Sequence, residues 1–223
     1  MNLRTTAIVL CLCFTGCVVP GMPSMMSPLE SRQATLAARI ESNEEKRMPI
    51  GTTAEFSRTI YIDAAPQQVW SITGEDFANI DKWISGVNAS IGSGQGVNGS
   101  LCTERTCVPS YRGFKDTTER LVEFDPAARR LKYQIVEGLP GMVEYATNEW
   151  THEAKGEGTQ VTMRIKMRLN GVMGFAMKPM LGVQMGKILG EGLEELKVYA
   201  ETGELHPRKA AAKRKYEKKQ RRL

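Results

Sequence analysis

The chain has 223 residues, of which 41% are apolar and 25% charged, and its mean hydropathy is −0.32. That length holds one large domain or two small ones, and that hydropathy excludes a multi-span membrane protein. The net charge of +5 is unevenly placed: His206–Leu223 carries nine basic residues against one acidic, or +8, which leaves −3 for the remainder.

The N-terminus reads as an export signal. Met1–Arg4 is a positive leader and Thr5–Phe14 a short apolar run, too short to span a bilayer. Phe14-Thr15-Gly16-Cys17 follows, and resembles the lipobox of bacterial lipoproteins with Phe14 in place of the usual leucine. Residues 1–17 are then a signal peptide with its lipobox, cleaved before Cys17, which becomes the lipidated first residue of the mature chain. Two or more acyl chains hold a protein firmly, at about 0.8 kcal/mol per buried methylene. The expected location is therefore the periplasmic side of the bacterial envelope, and Val18, standing where an aspartate would signal inner-membrane retention in that lipoprotein class, favours the outer membrane. Residues 18–52, with Pro20, Pro23, Ser24, Ser27 and Pro28, read as a linker or stalk, with a thin helical pattern over Leu29–Lys46.

The folded domain is expected over residues 53–203. Phe56–Asp63 is a β-branched strand, and Pro66 suits the first position of a helix. Gln67–Ile72 and Phe77–Ile84 read as short helices, and Asn88–Ile91 as a short strand before the glycine-rich loop Gly92–Gly99. Leu101–Val108, Phe114–Phe124, Arg130–Val136 and Met142–Ala154 read as further strands, joined by connections of hairpin length. The clearest is Val161–Leu169, with apolar residues at every odd position and threonine, arginine and lysine between. Period two marks a strand with one buried face. The covering element is a helix over Phe175–Tyr199, striped by Met177, Leu181, Met185, Leu189, Leu193 and Leu196. Residues 204–223 form a basic tail, either disordered or helical. Short connections make the sheet antiparallel, so the class is α+β.

In order and spacing, four stretches resemble the SRPBCC superfamily, the START-like helix-grip proteins that include polyketide cyclases and lipid-transfer domains. They are Ile60–Trp70, Gly94–Gly99, Glu119–Pro126 and Gly192–Lys197. The resemblance implies a curved seven-stranded sheet gripping the C-terminal helix, with a cavity for an apolar ligand between them. Within that helix Gly182, Gly186 and Gly190 recur every four residues, and each glycine costs roughly 1 kcal/mol relative to alanine. They leave either open space or a close approach to another backbone. Met163, Met167, Met173, Met177, Met180 and Met185 gather in the same unit, where flexible thioethers suit an adaptable apolar surface as well as ordinary core filling.

Strand parity proposes the lining: Glu119, Leu121, Tyr133, Ile135, Asn148, Trp150, Met163, Ile165 and Met167 from the sheet, and Met177, Leu181 and Met185 from the helix. Trp83 would cap one end. A carboxylate on an apolar face needs a partner, and Arg105 on the neighbouring strand can pair with Glu119, as a ligand anchor or as a structural ion pair. Cys102 and Cys107 remain after export in a compartment that permits disulfides. On one straight strand they would stand roughly 16 Å apart, so a bridge requires 103–106 to fold into a tight loop; the alternative is two packed thiols. No metal-ligand spacing, nucleophile elbow or phosphate loop occurs, and no cofactor is expected.

These residues predict a lipid-anchored envelope protein that binds or shuttles a small hydrophobic or amphipathic molecule. The alternative is a cyclase- or dehydratase-type enzyme using Glu119 and Tyr133 for proton transfer in the same cavity. A third reading is an interaction module whose cavity Trp150 and the methionines fill. The basic tail is either a solvated extension or a means of attachment to an anionic surface, while nucleic acid is a poor partner for an exported chain.

Overall fold

A computed structural model describes residues 51–111 and 114–222, apart from the side chains at 172, 173 and 175. The signal, Cys17 and the linker up to residue 50 lie outside the described residues, as does the Met173 side chain. Seven strands form one antiparallel sheet: β1 (Gly51–Ile62), β2 (Val87–Ser93), β3 (Glu104–Pro109), β4 (Thr117–Asp125), β5 (Arg130–Glu137), β6 (Val143–Lys155) and β7 (Gly158–Asn170). Their order is β1-β7-β6-β5-β4-β3-β2. Every strand-to-strand connection from β2 onward joins sheet neighbours, and only the step from β1 to β2 crosses the sheet. The short helix α1 (Pro66–Trp70), a π turn (Ser71–Glu75) and a 3₁₀ segment (Phe77–Lys82) make that crossing.

Register explains which side chains share the inner face. Leu121, Tyr133, Asn148, Ile165 and Phe56 stand in one row across β4, β5, β6, β7 and β1, and Phe124, Leu131, Trp150 and Met163 in the next. Odd positions of β7 therefore face inward, as period two requires. The helix α2 (Gly171–Thr202) covers them and runs longer than its apolar stripe predicts. It holds Pro179 nine residues in, ends on Gly203 in the left-handed region at φ 72°, and gives the Gly203 amide to the Tyr199 carbonyl at 2.9 Å.

The core falls into two parts. Leu189, Leu193, Leu196 and Ala200, on the second half of α2, pack with Trp70, Trp83, Leu131, Trp150 and Val161. Leu181, on the first half, packs with Ala54, Ala146, Met167 and Leu169, flanked by half-buried Met177, Met185 and Ile135. Met180 faces outward. The glycines have separate roles. A Cβ on Gly182 would touch the Phe56 ring at 3.4 Å, one on Gly186 would meet the Arg58 guanidinium at 2.7 Å, and one on Gly190 would meet nothing within 4 Å. Close packing and open space thus both occur along a single stripe.

The two cysteines are free and buried, the second of the two alternatives weighed above. Cys102 precedes β3 and Cys107 lies within it, and β3 is held extended by pairing with β2 and β4. No tight loop forms over 103–106 to bring the sulfurs together.

The basic tail is a helix, α3 (Pro207–Gln220), started by His206, whose Nδ1 accepts from the Arg208 amide. It is docked on a carboxylate with no exposed surface, Glu195 of α2. Glu195 accepts from Ser85 N–H and Ser85 O–H at 2.7 Å each and from Arg208 Nε at 2.8 Å. Arg208 also reaches Glu194 and the Glu191 carbonyl, and Lys209 Nζ donates to the Val87 carbonyl at 2.9 Å. Glu195→Ala would leave these donors unpaired inside the protein. It is expected to cost about 2–3 kcal/mol in denaturant unfolding and to raise amide exchange through α3; an unchanged midpoint would show the carboxylate to be dispensable.

Candidate functional site

The inner face narrows to a recess between the π turn, the 3₁₀ segment and the sheet. It is lined by Ile72, Thr73, Asp76, Phe77, Ile80, Trp83, Arg105, Leu131, Tyr133 and Trp150, and its open volume of about 10 Å³ has room for a single water. Arg105 forms its floor and is 2% exposed. Its Nε donates to Glu119 Oε2 at 2.5 Å and its Nη1 to the Phe77 carbonyl at 2.7 Å. The guanidinium lies over the Phe77 ring at 4.0 Å and the Tyr133 ring at 4.9 Å. Burial disfavours its charge, but Glu119 and the other groups around it outweigh that cost and raise its pKa above the usual arginine value. Burial and the Glu119 charge raise the Tyr133 pKa, so that its hydroxyl stays protonated; Trp150 hydrogen bonds to it.

Three polar atoms on this side of the sheet have no hydrogen-bond partner among the described residues: Trp83 Nε1, an N–H donor on a recess-lining residue, Asn148 Oδ1, an acceptor beside Tyr133, and Trp70 Nε1 deeper in the core. An unpaired buried group costs about 1–3 kcal/mol. The inner face is also incompletely closed. Phe56, Ile135, Ile165, Met177 and Met185 are only half-buried beneath the first half of α2.

The residues proposed from parity therefore divide. Trp83, Arg105, Tyr133 and Trp150 line the recess, and Glu119 holds Arg105 from 13% side-chain exposure. Leu121 and Met163 belong to the core beside it. Ile135, Ile165, Met167, Met177, Leu181 and Met185 form or flank the second apolar cluster. Asn148 is buried in the row that contains Tyr133 and Ile165. Sequence parity overlooked Ile72, Thr73, Asp76, Phe77 and Ile80, which come from a π turn, a 3₁₀ segment and the residue joining them, for which neither period two nor period 3.6 is a guide; it also passed over Leu131, which shares the inward parity of Tyr133 on β5.

Behind the recess, His152 is buried and stacked on Trp150 at 6.4 Å. Its Nδ1 lies 2.8 Å from the Arg129 carbonyl, which can only accept, so Nδ1 carries the proton and Nε2 accepts from Thr73 Oγ1, 2.8 Å away.

The matching family model, polyketide cyclase/dehydrase and lipid transport, covers residues 53–201, and the chain belongs to that family. Among curated proteins, none matches this sequence. Similar solved structures include a point mutant of norcoclaurine synthase from Thalictrum flavum (14% identity, TM-score 0.54, covering 69% of this chain and 97% of that one). A protein from Thermus thermophilus has 19% identity and a TM-score of 0.54 over 66% of this chain and 97% of its own. The protein XoxI from Bacillus cereus has 19% identity and a TM-score of 0.53 over 69% and 99%. These likenesses show the helix-grip fold.

Burial lowers the His152 pKa from 6.5 to about 4. The unfolded chain therefore takes up a proton between those values that the folded chain refuses. This contribution is fully present above pH 6.5 and is lost as pH falls toward 4; it amounts to on the order of 3 kcal/mol. Urea unfolding across that range should show the loss in the natural protein and a flatter profile in His152→Gln; parallel profiles would refute the assignment.

Proposed function

We propose that the protein binds a small amphipathic, lipid-like molecule between the sheet and the first half of α2. The observation that carries this reading is the half-open apolar face of Phe56, Ile135, Ile165, Met177 and Met185, beneath the first half of a helix whose second half buries Leu189, Leu193 and Leu196. The recess by itself is too small for such a ligand. Its polar groups suit the head, with the Trp83 N–H and Tyr133 O–H as donors, and the Asn148 oxygen on the neighbouring strand is an acceptor beside it. The apolar body then runs under α2, and the first half of that helix lifts to admit it. Met163, Met167, Met177 and Met185 can repack around varied shapes at small cost. Arg105 is already committed to Glu119 and Phe77, so it shapes the recess floor.

The site is proposed to work at a membrane. Lipidation of Cys17 would tether the chain on the periplasmic side of the bacterial envelope, with the residues from 18 to 50, ahead of β1, as its stalk, placing the pocket within reach of lipid molecules. Mass spectrometry of the protein from its own host would show the acyl mass on Cys17.

A fluorescent fatty-acid analogue tests the pocket. Saturable binding is expected, and Ile165→Trp, which fills the half-open face, should weaken it by about tenfold or more with little change in thermal midpoint. Native mass spectrometry should show a co-purifying amphiphile. An empty protein that binds no such probe would overturn the proposal.

A further inference from the structure

Helix α3 has two unlike sides. Arg208, Lys209, Ala212 and Tyr216, spaced by one, three and four residues, form the side turned to the domain and are partly or fully buried. Away from that side Arg214, Lys215 and Lys218 are exposed, as is Arg222 just past the end of the helix. Lys218 follows Arg214 by four residues and Lys215 by three, so these three share one exposed stripe of the helix, about 6 Å long at 1.5 Å per residue. Glu217, the acidic residue of this helix, lies off the stripe near Arg221. The charges of α3 are therefore sorted: the inward cations hold the helix on Glu195 and Val87, and the outward ones are left to solvent.

A second feature adjoins the helix. Tyr111 is close enough to Glu191, Glu195 and Arg208 for their charges to act on its hydroxyl. It is 42% exposed and contacts Phe114, 47% exposed, with ring centroids 6.0 Å apart. An exposed aromatic pair costs free energy in water and is stabilised where an apolar layer meets a wet, charged one.

We infer that the exposed cations of α3 and Arg222 just past it, with Tyr111 and Phe114 near the start of the helix, form a docking surface for an anionic phospholipid bilayer. Each basic residue near such a surface contributes roughly a factor of five in affinity, and the ring pair settles at headgroup depth. The helix is pre-folded and anchored, so binding does not incur the cost of ordering a loose tail. A phospholipid surface suits the arrangement better than nucleic acid does, because the stripe is straight and convex and the neighbouring aromatics lie outside it, with no groove to track a strand. This surface is separate from the pocket under α2, and either can fail without the other.

The test uses the full chain carrying Cys17→Ser, so that no acyl group contributes. Co-sedimentation with phosphatidylcholine vesicles, with and without phosphatidylglycerol, should show binding only to the anionic ones, weakening steeply with salt. The exposed triple variant R214Q/K218Q/R222Q should lose about a hundredfold in affinity while keeping its helicity and its fatty-acid binding. Tyr111→Ser with Phe114→Ser should weaken vesicle binding without changing the salt dependence. Equal binding to neutral vesicles, an undiminished triple variant, or tight binding to an oligonucleotide with none to vesicles would each overturn the assignment.

Discussion

The fold depends on a cation kept dry. Arg105 sits on the inner face of β3, between the rings of Phe77 and Tyr133, with its charge returned by Glu119 of the next strand. The pair also reaches the carbonyl of Phe77, and so ties the irregular segment after β1 to the far side of the sheet. That segment has few backbone ladder bonds of its own, and the guanidinium supplies it with a fixed point. Removing either partner would strand a charge in an apolar wall, and that asymmetry makes buried pairs specific even when their net stabilisation is small.

The polar band that follows from this pair separates two regions of different stiffness. On one side Trp70, Trp83, Trp150 and His152 form an interlocked aromatic group under the leucines of α2. On the other, methionines and half-buried isoleucine meet a helix half that carries Pro179 and two glycines seated against side chains of β1. Rigid aromatic packing holds the recess in shape, while the unbranched thioethers opposite can accommodate change. A binding site between such regions keeps its polar geometry and adapts its apolar length.

Much of the fold was legible in the chain. Strict alternation in Val161–Leu169 set the parity of β7, and the register carried that parity across to Tyr133, Asn148 and Phe56. The leucines from Leu181 to Leu196 marked the covering helix for the same reason. The pairing of Arg105 with Glu119 followed from placing a carboxylate on an apolar face. Less legible was the site's outer wall, where Thr73, Asp76, Phe77 and Ile80 arise from turns without a period. The free state of Cys102 and Cys107 also depended on where β3 begins, a boundary that composition does not mark.

The sequence by itself determined the elements, their faces and their antiparallel order, because alternation and helical spacing are local consequences of backbone geometry. Only the tertiary structure decided how far the layers close. The same three helix glycines serve contact with a ring, contact with a guanidinium and empty space, and the basic tail becomes a docked helix because one buried glutamate waits for it. Those outcomes rest on distances between residues far apart in the chain, which no local pattern encodes.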